Sequence, residues 1–201
     1  MNTPFGKDFL ELFIEAARRF NLKVGFYYSW MEFLHKPNKE YLTTIVIPQM
    51  NELMRYNVDR YFFDGDWEFN TKVADKTFSD IVNKIRDMNP NVEINDRISG
   101  CKQTRDLYDD INYLGLSTYR TYADREIPER PNVPWEHINT IGLSWGANIE
   151  QKDFKSGEEL YLLYNNVKNK GGNFLLNMGP LSDGTLDPLE IKSINELSKY
   201  I

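Results

Sequence analysis

Val58-Asp59-Arg60-Tyr61-Phe62-Phe63 runs straight into Asp64-Gly65-Asp66-Trp67-Glu68, and this junction decides how the chain is organised. The segment from Val58 to Phe63 is short and rich in aromatic residues, which reads as a strand. Downstream, Phe78, Ile81, Val82, Ile85 and Met88 recur at helical spacing until Asn89-Pro90 closes the run. Val92 to Asn95 then reads as a further short strand. Strand, helix and strand in succession form a βαβ unit, whose strands are parallel.

The same alternation extends in both directions. Upstream, residues 7–21 place Phe9, Phe13, Ala16 and Phe20 on one stripe, so a helix with that face inward is expected. Lys23 to Ser29 reads as a strand centred on Val24-Gly25-Phe26-Tyr27-Tyr28. A second helical stretch runs from Lys39 to Tyr56, where Pro48 should kink or split it. Downstream, the pattern weakens from Gly100 to Pro134, as in a long functional loop, with a short strand expected near Leu114. Ile138–Leu143 reads as a strand. Ser156 and Glu159 make a capping box for a helix carrying Leu160, Leu163 and Val167, which stops at Gly171-Gly172. Phe174–Met178 is the last strand, and Asp187-Pro188 opens a final helix with Ile191, Ile194, Leu197 and Ile201 inward.

Five or six short apolar strands alternating with helices indicate parallel strands buried on both faces. Ser29, Asp64, Asp96-Arg97, Ser144-Trp145 and Asn177 directly follow strands, and in a (β/α)8 barrel the C-terminal strand ends carry the chemistry. A doubly wound sheet collects groups there too, but the glycine-rich phosphate turn typical of it is missing. The expected fold is α/β, TIM-barrel-like and incomplete, in one domain over residues 1–201.

With 41% hydrophobic residues, the 201-residue chain can bury a real core. A net charge of −6 argues against a nucleic-acid binder. Cys101 is the single cysteine, which excludes an intrachain disulfide and a cysteine metal site; with only His35 and His137, no metal or other cofactor is expected. No apolar run approaches a membrane span. Met1 to Asp8 does not read as a signal peptide, so the chain as written is expected in the cytoplasm, or is trimmed from something longer. Aromatics make up 14%, which suits either a large core or a site where ring faces meet sugar faces.

Asp64 stands at a strand end with Gly65 behind it, so it can face a cleft on fixed backbone; a turn or capping acid would look the same. Asp66 and Glu68 are close enough in sequence for like-charge coupling. A second acidic set, Asp124, Glu126, Glu129 and Glu136, lies in or beside the long loop. Retaining glycosidases need two carboxyls about 5–5.5 Å apart, and distance in sequence is no obstacle when several loops meet on one face. Solvated loop acids are the alternative, as for Asp106, Asp109 and Asp110. Arg97 could bind a sugar oxygen, pair with the nucleophile, or simply brace the strand ends. Trp67 and Trp145 could wall a pocket or pack the core. His35 and His137 fit structural roles as well as ligand contacts.

As a series, these segments resemble the family 29 α-L-fucosidases. Leu22-Lys23-Val24-Gly25-Phe26-Tyr27-Tyr28-Ser29 is similar to the family's "GLKFGLYYS" strand, and Phe63-Asp64-Gly65-Asp66-Trp67-Glu68 resembles its nucleophile motif. Asn95-Asp96-Arg97 looks like the "NDR" that supplies a fucose-binding arginine. Pro134-Trp135-Glu136 and Gly142-Leu143-Ser144-Trp145-Gly146 resemble "PWE" and the segment whose aromatic lines the fucose pocket. Gly171-Gly172-Asn173-Phe174-Leu175-Leu176-Asn177-Met178-Gly179-Pro180 and Asp183-Gly184-Thr185 are close to "GGNLLLNIGP…DGT". The six motifs occur in order over nearly the whole chain.

The resemblance implies a retaining double displacement with Asp64 as nucleophile, and substrate contacts from Tyr28, Trp67, Arg97 and Trp145. Many members carry the acid/base glutamate just before an Ile-Pro pair. Here Asp124 matches that position ahead of Ile127-Pro128, which leaves Glu126 and Glu136 as candidates too. The family's N-terminal strands, with a His-His-Asp-Gly motif, and its C-terminal β-sandwich have no counterpart in the sequence. The expected substrate is a fucosylated oligosaccharide or glycoconjugate, without a nucleic-acid or membrane partner. The expected assembly is a homo-oligomer that buries the open strand edges and completes the pocket. The rival expectation is a truncated relative that binds sugar without turnover. A hydrolase of another sugar on a related barrel would carry the same carboxylates in a different pocket.

Overall fold

The computed structural model describes residues 6–69, 72–98, 116–129 and 131–201; the strand expected near Leu114 lies outside them. The chain divides into two compact units, Met1–Tyr119 and Arg120–Ile201. Each contains a three-stranded parallel sheet among the described residues.

In the first unit, helix α1 (Phe9–Arg19) is opened by Asp8, whose side chain accepts from the Glu11 N–H. The sequence stripe has the wrong phase here. Ile14, with Leu10 and Ala17 beside it, faces the core, whereas Phe9 and Phe13 are 67% and 53% exposed. Strand β1 (Gly25–Ser29) leads to a helical stretch that Pro48 divides. It comprises α2 (Lys39–Tyr41), a wide π turn (Leu42–Val46), α3 (Ile47–Leu53) and a 3-10 turn (Met54–Tyr56). Pro48 has no N–H to return to a carbonyl one turn back, and the Ile47 N–H before it reaches five residues back to Leu42.

Strand β2 (Arg60–Asp64) and β3 (Glu93–Ile94) flank α4 (Lys72–Met88) in sequence. The sheet order is β1-β2-β3, with Gly25 opposite Arg60, Ser29 opposite Asp64 and Tyr61 opposite Ile94. The stripe Phe78, Ile81, Val82 and Ile85 of α4 is buried as expected, while Met88 is exposed. Trp30 is fully buried, with its ring 4.3 Å from Phe63 and 4.1 Å from Phe78 between centroids. Each such ring contributes roughly 1.5–3 kcal/mol through removal from water.

In the second unit, β4 (Arg120–Thr121), β5 (Trp135–Thr140) and β6 (Asn173–Asn177) pair in that order, all parallel. β5 starts three residues before the expected Ile138 and is buried along its whole length, polar residues included. Helix α5 (Gly157–Asn169) begins at the expected capping box, in which the Ser156 hydroxyl and Glu159 carboxylate accept each other's backbone N–H. It ends as expected near Gly171, whose φ of +73° requires glycine's freedom. Helix α6 (Pro188–Leu197) is capped by Asp187. Its inward face is Glu190, Ser193 and Leu197; Ile191 and Ile201 face outward instead. No helix among the described residues is long and apolar enough to cross a membrane.

Candidate active site

Register carries Asp64 to the C-terminal end of β2, directly beside Ser29 at the end of β1. The chain then turns through Gly65, whose φ is +77°. A β-carbon there would also stand 2.7 Å from the Met31 side chain, so conformation and space both require glycine. Asp64 Oδ1 accepts from Arg97 Nη1 at 2.5 Å, and Oδ2 accepts from the Tyr27 hydroxyl at 2.8 Å. The two donors fix the plane of the carboxylate. The Arg97 guanidinium lies 5.5 Å from the ring centres of Phe62 and Trp67, which wall it on apolar faces.

The backbone beneath is held by side chains. Asn95, fully buried, accepts from the Phe63 N–H at 2.8 Å and donates to the Phe63 carbonyl at 2.9 Å. Its amide continues the β2–β3 ladder beyond Tyr61 and Ile94, where main-chain pairing stops. Trp30 donates from its indole to the Arg97 carbonyl at 2.8 Å and from its backbone to the Asp64 carbonyl at 2.8 Å.

Tyr28, expected at the substrate, lies in the core instead. Its hydroxyl donates to Gln49, and burial, with a smaller effect of Tyr41, raises its pKa far above that of a free phenol. The adjacent Tyr27, on the opposite face of β1 and 63% exposed, is the one that reaches Asp64. Strand alternation separates the two tyrosines, but only the β1–β2 register shows which face carries Asp64.

In the second unit, Asp124 is exposed in a turn that follows β4. The Glu126 carboxylate accepts from the Ala123 N–H across this turn at 3.1 Å, so it serves the turn's own backbone. His137 Nδ1 bonds to the Glu126 carbonyl at 2.8 Å, which requires the proton on Nδ1; Nε2 then accepts from Asn139 at 3.0 Å. Burial lowers the His137 pKa, outweighing the Glu126 carbonyl, so the ring is a neutral tether. Glu136, a candidate acid/base, is buried at the start of β5 and accepts from Asn173 at 2.6 Å. It sits at the strand's N-terminal end, away from the C-terminal end where such sheets present their chemistry, and so reads as a strand-pairing group. Trp145 is partly exposed, and its carbonyl accepts from Asn177 at 2.7 Å. His35 bonds to Glu32 on the surface of the first unit.

The sequence assigned no individual role to Tyr27, Asn95 or Arg125. Arg125 has a left-handed φ of +64°, its guanidinium donates to the Leu143 carbonyl at 2.7 Å, and it lies 5.5 Å from the Trp145 ring centre. Its place next to Asp124 was the available signal.

Parallel strands end here in a carboxylate held by arginine and tyrosine, with aromatic faces alongside. The model of the family described as alpha-L-fucosidase matches residues 1–201, and the chain belongs to that family. Among curated relatives, the alpha-L-fucosidase of Branchiostoma floridae is 26% identical over 206 residues, covering 95% of this chain and 44% of its own length. The tissue alpha-L-fucosidase of Rattus norvegicus is 25% identical, with 92% and 42% covered. Isoenzyme 1 from Paenibacillus thiaminolyticus shares the fold at a TM-score of 0.80 and 24% identity, over 99% of this chain and 53% of that one. A GH29 alpha-L-fucosidase of Bacteroides thetaiotaomicron, trapped as a covalent intermediate, gives 0.81 at 22% identity, with 99% and 51% covered. The chain thus spans less than half the length of these curated relatives.

Proposed function

We propose that this chain acts as a retaining α-L-fucosidase, removing terminal α-L-fucosyl groups from oligosaccharides or glycoconjugates by double displacement. The observation that carries this is the Asp64 carboxylate, held by Arg97 and Tyr27 at the end of β2. In the first step an Asp64 oxygen bonds to the anomeric carbon as the bond to the leaving oxygen breaks, and Asp124 gives that oxygen a proton. In the second, Asp124 takes a proton from water, whose oxygen displaces Asp64 with net retention. Asp124 is preferred because it matches the family's acid/base position ahead of Ile127-Pro128 and follows the C-terminal end of β4, whereas Glu136 lies at the N-terminal end of β5. Arg97, Trp67 and Trp145 are assigned to the sugar. The covalent intermediate trapped in the Bacteroides thetaiotaomicron relative supports the two-step course.

We also infer an incomplete TIM-like barrel and self-association. Two three-stranded parallel sheets among the described residues, each with open edge strands, and the exposed Phe9 and Phe13 of α1 support these inferences. The test is Asp64→Ala with an aryl α-L-fucoside. Turnover should fall more than roughly a thousandfold, and added azide should restore leaving-group release, giving a fucosyl azide of inverted configuration. Wild-type turnover that survives Asp64→Ala overturns the assignment. Absence of wild-type turnover, with fucose still bound, favours the non-catalytic sugar-binding alternative.

A further inference from the structure

Arg125 has no part in the double displacement, yet the fold holds it in place at a cost. A left-handed backbone at a residue with a β-carbon costs about 1–2 kcal/mol, and the φ here is +64°. Strained residues of this kind persist where the surroundings over-determine them, often at functional sites. The surroundings do so here. The Arg125 N–H donates to the Ile138 carbonyl at 3.2 Å, and Nη2 donates to the Leu143 carbonyl at 2.7 Å and to Thr140 Oγ1 at 3.3 Å.

These anchors occupy Nη2 alone. Among the described residues Nε and Nη1 have no hydrogen-bond partner, and the residue is exposed. The guanidinium lies over the partly exposed Trp145 ring, 5.5 Å from its centre. Lys155 adds positive potential close by while its ammonium is held by the Thr140 carbonyl at 2.7 Å. Asp124 and Glu126 flank Arg125 in the chain, Glu126 being held by Ala123, and Glu159, held by Ser156, acts on Lys155. The result is a cation with open donors beside an aromatic face, in a chain whose net charge is −6.

We propose that Arg125, beside the Trp145 ring assigned to the fucose, forms a leaving-group subsite that selects aglycones bearing an anionic group, a carboxylate or a sulfate. Its open N–H donors take the anion where the aglycone leaves the fucose ring. The subsite belongs to the leaving side because Arg125 directly follows Asp124, the residue assigned to protonate the leaving oxygen. In that respect the inference rests on the fucosidase reading.

The experiment compares aryl α-L-fucosides carrying a ring carboxylate, a ring sulfate or a neutral carboxamide, on the full chain and on Arg125→Gln. The wild-type ratio of kcat/KM for anionic over neutral substrate should fall about tenfold in Arg125→Gln, the scale of one charge-assisted hydrogen bond. Arg125→Lys should keep most of the preference. Added salt should shrink it in the wild-type protein, which needs no variant to fold. An unchanged ratio in Arg125→Gln, or a wild-type ratio indifferent to salt, overturns the subsite. If no fucoside is hydrolysed, the fucosidase reading fails on its own, and indole fluorescence titrated with the same compounds still decides the subsite. Tighter binding of the anionic compounds, lost in Arg125→Gln, supports it; equal binding of anionic and neutral compounds overturns it.

Discussion

Asp64 divides its oxygens between unlike neighbours: a buried guanidinium on one and an exposed phenol on the other. Tyr27→Phe removes one charge-assisted hydrogen bond, so kcat on an aryl fucoside should drop roughly tenfold, with the melting temperature nearly unchanged. Tyr28→Phe breaks the bond to Gln49 in the core and should lower stability by about 1 kcal/mol while leaving kcat in place. Kinetics and thermal melts of both variants check this, and exchanged profiles would refute the assignment of the two tyrosines. The placement of Asp64 and Arg97 at strand ends was legible because each follows an apolar strand. Tyr27 was not, since choosing between adjacent tyrosines needs the pairing of β1 with β2. The strand position of Glu136 was not legible, because Trp135, Glu136 and His137 do not look like a strand until Asn173 and the Glu126 carbonyl supply their partners.

Strand β3 is only two residues long, and the Asn95 amide does the work of the main chain beyond it. Asn95→Leu leaves the Phe63 N–H and carbonyl without that partner in the core, which should cost about 2–4 kcal/mol in urea unfolding. A loss below about 1 kcal/mol would mean that other groups take its place. Helix starts were readable from Asp187-Pro188 and from Ser156 with Glu159, because capping chemistry is local. Helix faces were less so. α1 has one apolar arc, running from Leu12 through Phe9 and Phe13 to Ile14, that is wider than the face the core accepts, and tertiary packing buries its Ile14 edge. On α6 the core-facing position is Glu190, only 7% exposed, whose carboxylate accepts from the Gly179 N–H at 3.4 Å. Burial raises its pKa above the usual 4.5, reinforced by Asp187. The folded chain therefore holds this proton more tightly than the unfolded chain, and stability declines as pH rises from 4.5 through the raised value. Glu190→Gln should remove that slope and gain about 1 kcal/mol at neutral pH. Urea unfolding at pH values on both sides of the window measures it, and a variant less stable than wild type at neutral pH would contradict it.

At the scale of the molecule, the parallel α/β character was legible because strand and helix periods alternate along the whole chain. The division after Tyr119 was not, since it rests on contacts far apart in sequence. Phe9 and Phe13 lie on the exposed side of α1, an expensive place for two phenyl rings in water. If a second copy covers them, light scattering should give a mass above that of one chain, and Phe9→Ser with Phe13→Ser should return it to a single-chain mass. A monomeric wild-type protein that still cleaves fucosides would remove self-association from the proposal.

Trp30 joins several of these threads. Its indole is stacked between Phe63 and Phe78, and its one N–H points at the Arg97 carbonyl. An indole so enclosed absorbs and emits differently from the partly exposed ring of Trp145. The protein thereby carries an optical gauge wired to the backbone of Asp64 and Arg97, and its near-ultraviolet dichroism registers a loosened grip on the carboxylate before any substrate is added.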